Sequence, residues 1–269
     1  MALKVMKRVE NKYLVDTAAY MRLVREIEKH TALDEYNTQQ DFYTITNIYY
    51  DTGDHHLIRT SLSKPKYKEK LRLRAYGVPT ARDTVYLEIK KKYQGVVNKR
   101  RIDLPLSDAY LFSKTCRIPD SVGENAQIAQ ELAYALQRYR PVPKVYIAYD
   151  RRAYIGENGL RITFDTNIRT RRHDLRLEYG DYGKRLLEDG LWLIETKIGG
   201  AFPLWLVRLF SEQQVYAASF SKYGTEYKQF IANGGNALCL NQFSAREQQL
   251  QRMPPLFPSH GKVPFSQSV

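Results

Sequence analysis

Lys70-Leu71-Arg72-Leu73-Arg74-Ala75-Tyr76 and Val85-Tyr86-Leu87-Glu88-Ile89-Lys90 are the two runs whose reading decides the fold. Each alternates strictly, and successive side chains of a strand point to opposite faces. Lys70, Arg72 and Arg74 therefore share one face, with Leu71 and Leu73 on the other. Glu88 and Lys90 share a face, with Val85, Leu87 and Ile89 behind them. Gly77-Val78-Pro79 between the runs is turn material, so the two read as an antiparallel pair. Taken alone, the pair is an amphipathic hairpin with its charged face in water, the ordinary state of an antiparallel sheet.

The same pattern recurs outward from this hairpin. Lys7 to Val15 reads as a strand with Arg8, Glu10 and Lys12 on one face. Asn98 to Leu104 groups Lys99, Arg101 and Asp103, and Leu160 to Asp165 groups Arg161, Thr163 and Asp165. Trp192 to Lys197 puts Glu195 beside Lys197, while Phe42 to Tyr50 and Lys144 to Tyr154 are further strands. Three amphipathic helices are predicted: from Asp16 or Thr17 to about Lys29, from Ala126 to Tyr139, and from Leu204 to about Phe220. Ser221-Lys222-Tyr223-Gly224 is read as the close of the last one. Periodicity then stops, which predicts a folded domain over 1–232 and a disordered, low-complexity tail over 233–269.

The helices can cover the apolar strand faces. The charged faces either coat an open sheet or line a closed one. An outer coat mixes in Ser, Thr, Gln and Asn, whereas these faces carry chiefly Arg, Lys and Glu. Closure also removes the edges of a long meander, and about eight strands enclose room for side chains or one small ligand. So many cations need counter-charge when buried, which a bound polyanion, a few carboxylates and a metal ion between them would supply. The expected fold is α+β: a closed eight-stranded antiparallel β-tunnel, charged inside, with helices packed on the outside.

Composition points the same way. The chain has 269 residues, 43% of them apolar, and a net charge of +13 from 42 Lys+Arg against 29 Asp+Glu. That balance predicts a polyanionic partner: nucleic acid, nucleotide, polyphosphate or an anionic membrane surface. Nucleic acid is disfavoured, because aromatic-plus-basic platforms are missing and acids alternate with the bases. Cys116 and Cys239 are isolated, which fits a reducing compartment. No signal-type apolar run opens the chain, and no window approaches the roughly 18 apolar residues of a membrane span.

Eight short motifs stand in order: Arg8-Val-Glu10-Asn-Lys12-Tyr13, Ile48-Tyr-Tyr-Asp51-Thr, Leu71-Arg72-Leu-Arg74-Ala-Tyr76, Glu88-Ile-Lys90, Tyr149-Asp-Arg151-Arg-Ala-Tyr154, Arg161-Ile-Thr-Phe-Asp165, Glu195-Thr-Lys197 and Ser221-Lys222-Tyr223. In this set, from Arg8 to about Tyr223, the chain resembles the triphosphate tunnel metalloenzymes (CYTH-like superfamily), and within them the vacuolar transporter chaperone (VTC) domain, a polyphosphate polymerase module. The resemblance implies a tunnel that binds ATP, triphosphate or polyphosphate along its axis with Mn2+ or Mg2+.

Matched residue by residue, the resemblance assigns catalytic phosphate contacts to Arg72, Arg74, Lys90, Arg151, Arg161 and Lys222. Substrate phosphate binding falls to Arg8, Lys12, Lys99, Tyr149, Lys197 and Ser221. Glu195 is the first metal-ligand candidate, with Glu10 and Glu88 as second ligands or charge balancers. Arg151 is preferred to Arg152 because the family pattern places the arginine two residues after Tyr149, which in a strand puts the two on one face. Cyclase-like and thiamine-triphosphatase members open with Glu-x-Glu-x-Lys; Arg8 here replaces the first carboxylate, which favours the VTC-type pattern over a two-metal hydrolase. The implied activity is transfer of the γ-phosphate of ATP onto a polyphosphate chain. The alternatives are an inorganic or nucleoside triphosphatase of the same fold and a non-catalytic polyphosphate or nucleotide sensor. The implied setting is cytoplasmic, with association to the inner face of a membrane through a membrane-protein partner.

Overall fold

The computed structural model describes residues 9–235. Ten strands are present among them: β1 Val9–Asp16, β2 Ala32–Leu33, β3 Tyr43–Asp51, β4 Tyr67–Tyr76, β5 Thr84–Tyr93, β6 Val96–Pro105, β7 Val142–Ile155, β8 Arg161–Arg171, β9 Lys184–Arg185 and β10 Leu191–Ile198. Six helices accompany them: α1 Thr17–Ile27, α2 His56–Leu62, α3 Leu106–Thr115, α4 Ala126–Tyr139, α5 Leu204–Glu212 and α6 Lys222–Ala232. Eight strands form one antiparallel path in the order β1-β10-β8-β7-β3-β4-β5-β6, with β2 and β9 as short additions on β7 and β8. The predicted tail lies outside the described residues from position 236 onward, as do Arg8 and Cys239. No helix among the described residues is long and apolar enough to cross a membrane.

The central hairpin is as the alternation requires. β4 and β5 pair Arg72 with Glu88, Leu73 with Leu87 and Lys70 with Lys90. Leu71, Leu73, Val85, Leu87 and Ile89 turn outward and are buried with Phe112 of α3 and Leu132 and Leu136 of α4. On the opposite side of the curl, Ile162, Phe164 and Ile194 pack against Leu23, Val24 and Ile27 of α1 and Leu209 and Phe210 of α5. Burial of such a side chain stabilises by about 1.5–3 kcal/mol, so these outer layers hold the curl.

Two expectations are corrected. The path of backbone pairing is not closed: β1 and β6 are its ends and do not pair. The cause is local. The free edge of β1 is taken by the segment after α5, where the Ala218 N–H donates to the Lys12 carbonyl at 2.7 Å and Tyr13 bridges Ala217. Side chains then span the gap, with Lys90 Nζ 3.7 Å from Glu10 Oε2 and Lys70 Nζ donating to Ser221 Oγ at 2.9 Å.

The second correction is that the helices are not all outside. α5 ends at Glu212 rather than near Phe220, and Ser221 opens α6 instead of closing α5. Its hydroxyl accepts from the Gly224 N–H at 3.1 Å, a normal N-cap. Tyr223 and Tyr227 of α6 pack with Ile45, Tyr49, Val145 and Ile147, which belong to the inward faces of β3 and β7. The first turn of α6 is thereby carried into the lumen.

Candidate functional site

The curl encloses a cavity of about 800 Å³. Every candidate within the described residues lines it: Glu10, Lys12, Arg72, Arg74, Glu88, Lys90, Lys99, Tyr149, Arg151, Arg161, Glu195, Lys197, Ser221 and Lys222. Arg8 lies outside the described residues. Arg152 pairs with Glu28 at 3.0 Å, away from the cavity that Arg151 lines.

One wall is built of arginines and fixed partners. Arg72 Nε donates to Glu88 Oε2 at 2.6 Å and its Nη1 to the Tyr49 hydroxyl at 3.2 Å. Lys99 Nζ lies 2.6 Å from the other Glu88 oxygen. Burial alone would raise the Glu88 carboxyl, but Arg72, Arg74 and Lys99 outweigh it and hold the group well below the carboxylate range. Arg74 donates to Asn47 Oδ1 and to the Tyr149 hydroxyl, both at 2.9 Å. The register of β7 against β8 shifts between Ala148 and Asp150, with the extra residue on β8, where Asn167 has a φ of 49°. Arg151 grips Asp165 bidentately at 2.6 and 2.8 Å, and Lys222 Nζ reaches the same carboxylate at 2.5 Å.

The facing wall is built of lysines around two carboxylates. Lys12 Nζ lies 3.5 Å from Glu10 and 3.4 Å from Glu195, and donates to the Phe220 carbonyl at 3.2 Å. Glu195 also meets Lys197 at 3.0 Å and Lys222 at 3.7 Å. Burial works to raise the Glu195 carboxyl, yet Lys197, Lys12, Lys222 and Arg151 bring it well below its ordinary value. Arg161 sits at the rim, its Nη2 donating to Asp34 Oδ2 at 2.7 Å.

Lys70 was on the charged face but without an assigned role; its spacing of two from Arg72 was the available signal. Burial lowers its ammonium, Tyr49 opposes and Lys12 and Lys90 add to the lowering, leaving it near 8. Burial and Arg72 likewise lower Lys99 to about 8 against the pull of Glu88. For Tyr49, burial raises the phenol, but Arg72, Lys70 and Arg74 bring it down to about 8. Tyr43 and Tyr76 also line the cavity; the alternation that sets Lys70, Arg72 and Arg74 on one face extends to Tyr76, whereas Tyr43 has no sequence signal beyond the high tyrosine count.

The arrangement is a lumen of cations with a few engaged carboxylates, suited to an extended polyanion. Among the described residues no group of three or more His, Cys, Asp or Glu side chains could hold a metal by itself. The VTC domain family model matches residues 7–231. The chain belongs to the VTC domain family. A comparison with curated proteins gives no match. Solved structures similar to this VTC domain include a putative adenylyl cyclase from Hippeastrum with a dominant triphosphatase activity, at 16% identity, 85% of this chain, 96% of that chain and a TM-score of 0.49. A putative adenylate cyclase from Bacillus halodurans is similar at 14% identity, 91% of this chain, 98% of that chain and a TM-score of 0.41. A Pyrococcus horikoshii protein has the same 14% identity, with 91% and 99% of the two chains covered and a TM-score of 0.33.

Proposed function

We propose that this VTC domain is a metal-dependent phosphotransferase that moves the γ-phosphate of ATP onto a polyphosphate chain inside the lumen. The observation that carries the reading is the inward line Lys70, Arg72 and Arg74 on β4, facing Lys12, Lys197 and Lys222 across one cavity. An arginine has five donors in a planar fork. Arg72 spends two on Glu88 and Tyr49, and Arg74 two on Asn47 and Tyr149. Those contacts fix the guanidinium planes, and the remaining donors meet phosphate oxygens.

Mn2+ or Mg2+ fits beside Glu10 and Glu195, because such hard cations accept one or two carboxylates and complete their shell with phosphate oxygens and water. Glu88 fits that role less well, since Arg72 and Lys99 close on its two oxygens at 2.6 Å each, whereas the lysines around Glu10 and Glu195 stand at 3.0 to 3.9 Å. When bound, the ion neutralises charge on the phosphates under transfer. The chain's own residues do the rest. Lys222 and Ser221, at the head of α6, orient the terminal phosphate of the acceptor chain. Arg72 and Arg74 hold the donor so that an acceptor oxygen attacks the γ-phosphorus in line. The bond from that phosphorus to the bridging oxygen breaks, and ADP leaves. Positioning and charge neutralisation suffice, with no covalent enzyme intermediate.

Purified protein given ATP and Mn2+, read for long-chain polyphosphate and for free phosphate, tests this. Chain growth is expected. Free phosphate alone would replace the polymerase with a triphosphatase, and binding with neither product would leave a sensor.

A further inference from the structure

The inward cations of β4 stop at Arg74. The next inward position, at the end of the strand, is Tyr76, and it does not stand alone. Its ring stacks on Tyr36, with centroids 5.0 Å apart and planes 3° from parallel. Tyr86 meets it edge-on at 5.8 Å, and Tyr43 lies at 6.1 Å with its ring tilted by 44°. Four tyrosines thus gather at the Arg74 end of β4, with the Arg101 guanidinium 4.7 Å from the Tyr86 ring centroid.

Two details distinguish this cluster from ordinary core packing. Tyr36 remains 41% exposed, although it stacks on a ring that lines the cavity. The Tyr43 hydroxyl, in the cavity wall, is buried with no hydrogen-bond partner. A buried unpaired hydroxyl is costly and uncommon, so it marks a place where a ligand atom is wanted. The segment carrying Tyr36 is also tied to the phosphate path. Asp34 accepts the Tyr36 N–H through Oδ1 at 2.8 Å, and its other oxygen holds Arg161 at 2.7 Å.

We propose that Tyr36, Tyr43, Tyr76 and Tyr86 form the nucleoside end of the lumen, which selects a nucleoside triphosphate over inorganic triphosphate as phosphate donor. This rests on the lumen binding phosphates, as argued above. The base stacks against the Tyr76–Tyr36 pair, and the Tyr43 hydroxyl pairs with a heteroatom of the base or sugar. Every base has a π-face, so stacking favours nucleosides as a class without choosing among them.

Titration calorimetry with ATP and with tripolyphosphate, on the full chain and on Tyr76→Ala, Tyr36→Ala and Tyr43→Phe, tests it. Tyr76→Ala is expected to weaken ATP about tenfold, within the range for loss of one stacking ring. Tyr36→Ala and Tyr43→Phe should each lower ATP affinity by a smaller factor, and tripolyphosphate affinity should hold in all three. Equal losses for both ligands, or ATP affinity unchanged in Tyr76→Ala, overturn the proposal. Should Tyr76→Ala bind neither ligand through misfolding, Tyr36→Ala decides, because its ring is already exposed. Wild-type protein that binds tripolyphosphate but not ATP refutes the nucleoside end alone. Wild-type protein that binds neither refutes the phosphate lumen as well.

Discussion

The two walls of the lumen treat their carboxylates differently. On the β4–β5–β6 side, Glu88 is 1% exposed and closed in by Arg72 and Lys99 at 2.6 Å each. On the β1–β10 side, Glu10 and Glu195 share Lys12 at 3.5 and 3.4 Å, and Glu10 meets Lys197 at 3.9 Å. The short pairs on Glu88, one of them from a planar guanidinium, fix geometry; the longer lysine contacts of Glu10 supply charge that can rearrange when a ligand arrives. On the proposed function, the first wall would be a clamp held ready, and the second the side that takes a cation and the phosphoryl group under transfer.

Arg72→Ala breaks this comparison most severely. It removes the short partner of a buried carboxylate, for which a loss of about 3–5 kcal/mol is typical. The lower end is expected because Lys99 still reaches Glu88. Urea denaturation should show that loss, and tripolyphosphate binding should weaken with it. Arg161→Ala, at the half-exposed rim, should weaken nucleotide binding and also cost stability, because it removes the 2.7 Å partner of the buried Asp34; the cost should be smaller than for Arg72→Ala, since Asp34 keeps the Tyr36 N–H.

Filling the lumen acts in the opposite direction. Tripolyphosphate at about 100 times its dissociation constant should add roughly 2.7 kcal/mol to stability. A melting temperature that does not rise at low salt would contradict the lumen as a phosphate site. Glu195→Gln sharpens the contrast between the walls: tripolyphosphate binding should change little, while turnover with ATP and Mn2+ should fall about tenfold or more, the scale seen when groups around a metal are lost. An equal loss of binding and turnover would place Glu195 with the clamp instead.

The smallest effect is on pH. Lys70 and Lys99 have folded values near 8, below the 10.5 of a free lysine. Their charged forms are therefore disfavoured by folding. Their penalty on the ligand-free protein is full below about 8 and fades as pH rises toward 10.5. Phosphate affinity runs the other way, falling above about 8 because binding must reprotonate them. Calorimetry in buffers of different ionisation enthalpy should detect proton uptake there.

Much of this site was legible because a strand's period of two is a local rule. It set Arg72 with Arg74 and Glu195 with Lys197. What was not legible depends on distant partners. Asp165 is met by Lys222 from 57 positions away, and Asp34 by Arg161 from 127. Ser221 was misread because a serine before Lys-Tyr-Gly serves equally as the end of one helix and the cap of the next. The open path of pairing was hidden for a related reason. Nothing near β1 in sequence announces that residues 217 and 218 take the edge that β6 would have needed.

That missing pairing leaves the outer edge of β6, Val96–Pro105, without a partner strand among the described residues. Such an edge is a template for another chain. Here it carries Lys99, Arg100 and Arg101 in succession, so two copies approaching by this strand bring like charges together. The defence is electrostatic, and a bound polyanion cancels it. The polymer expected to steady the interior therefore also lowers the barrier to self-association at the rim, which light scattering of the protein across a polyphosphate titration would register as growth in particle size.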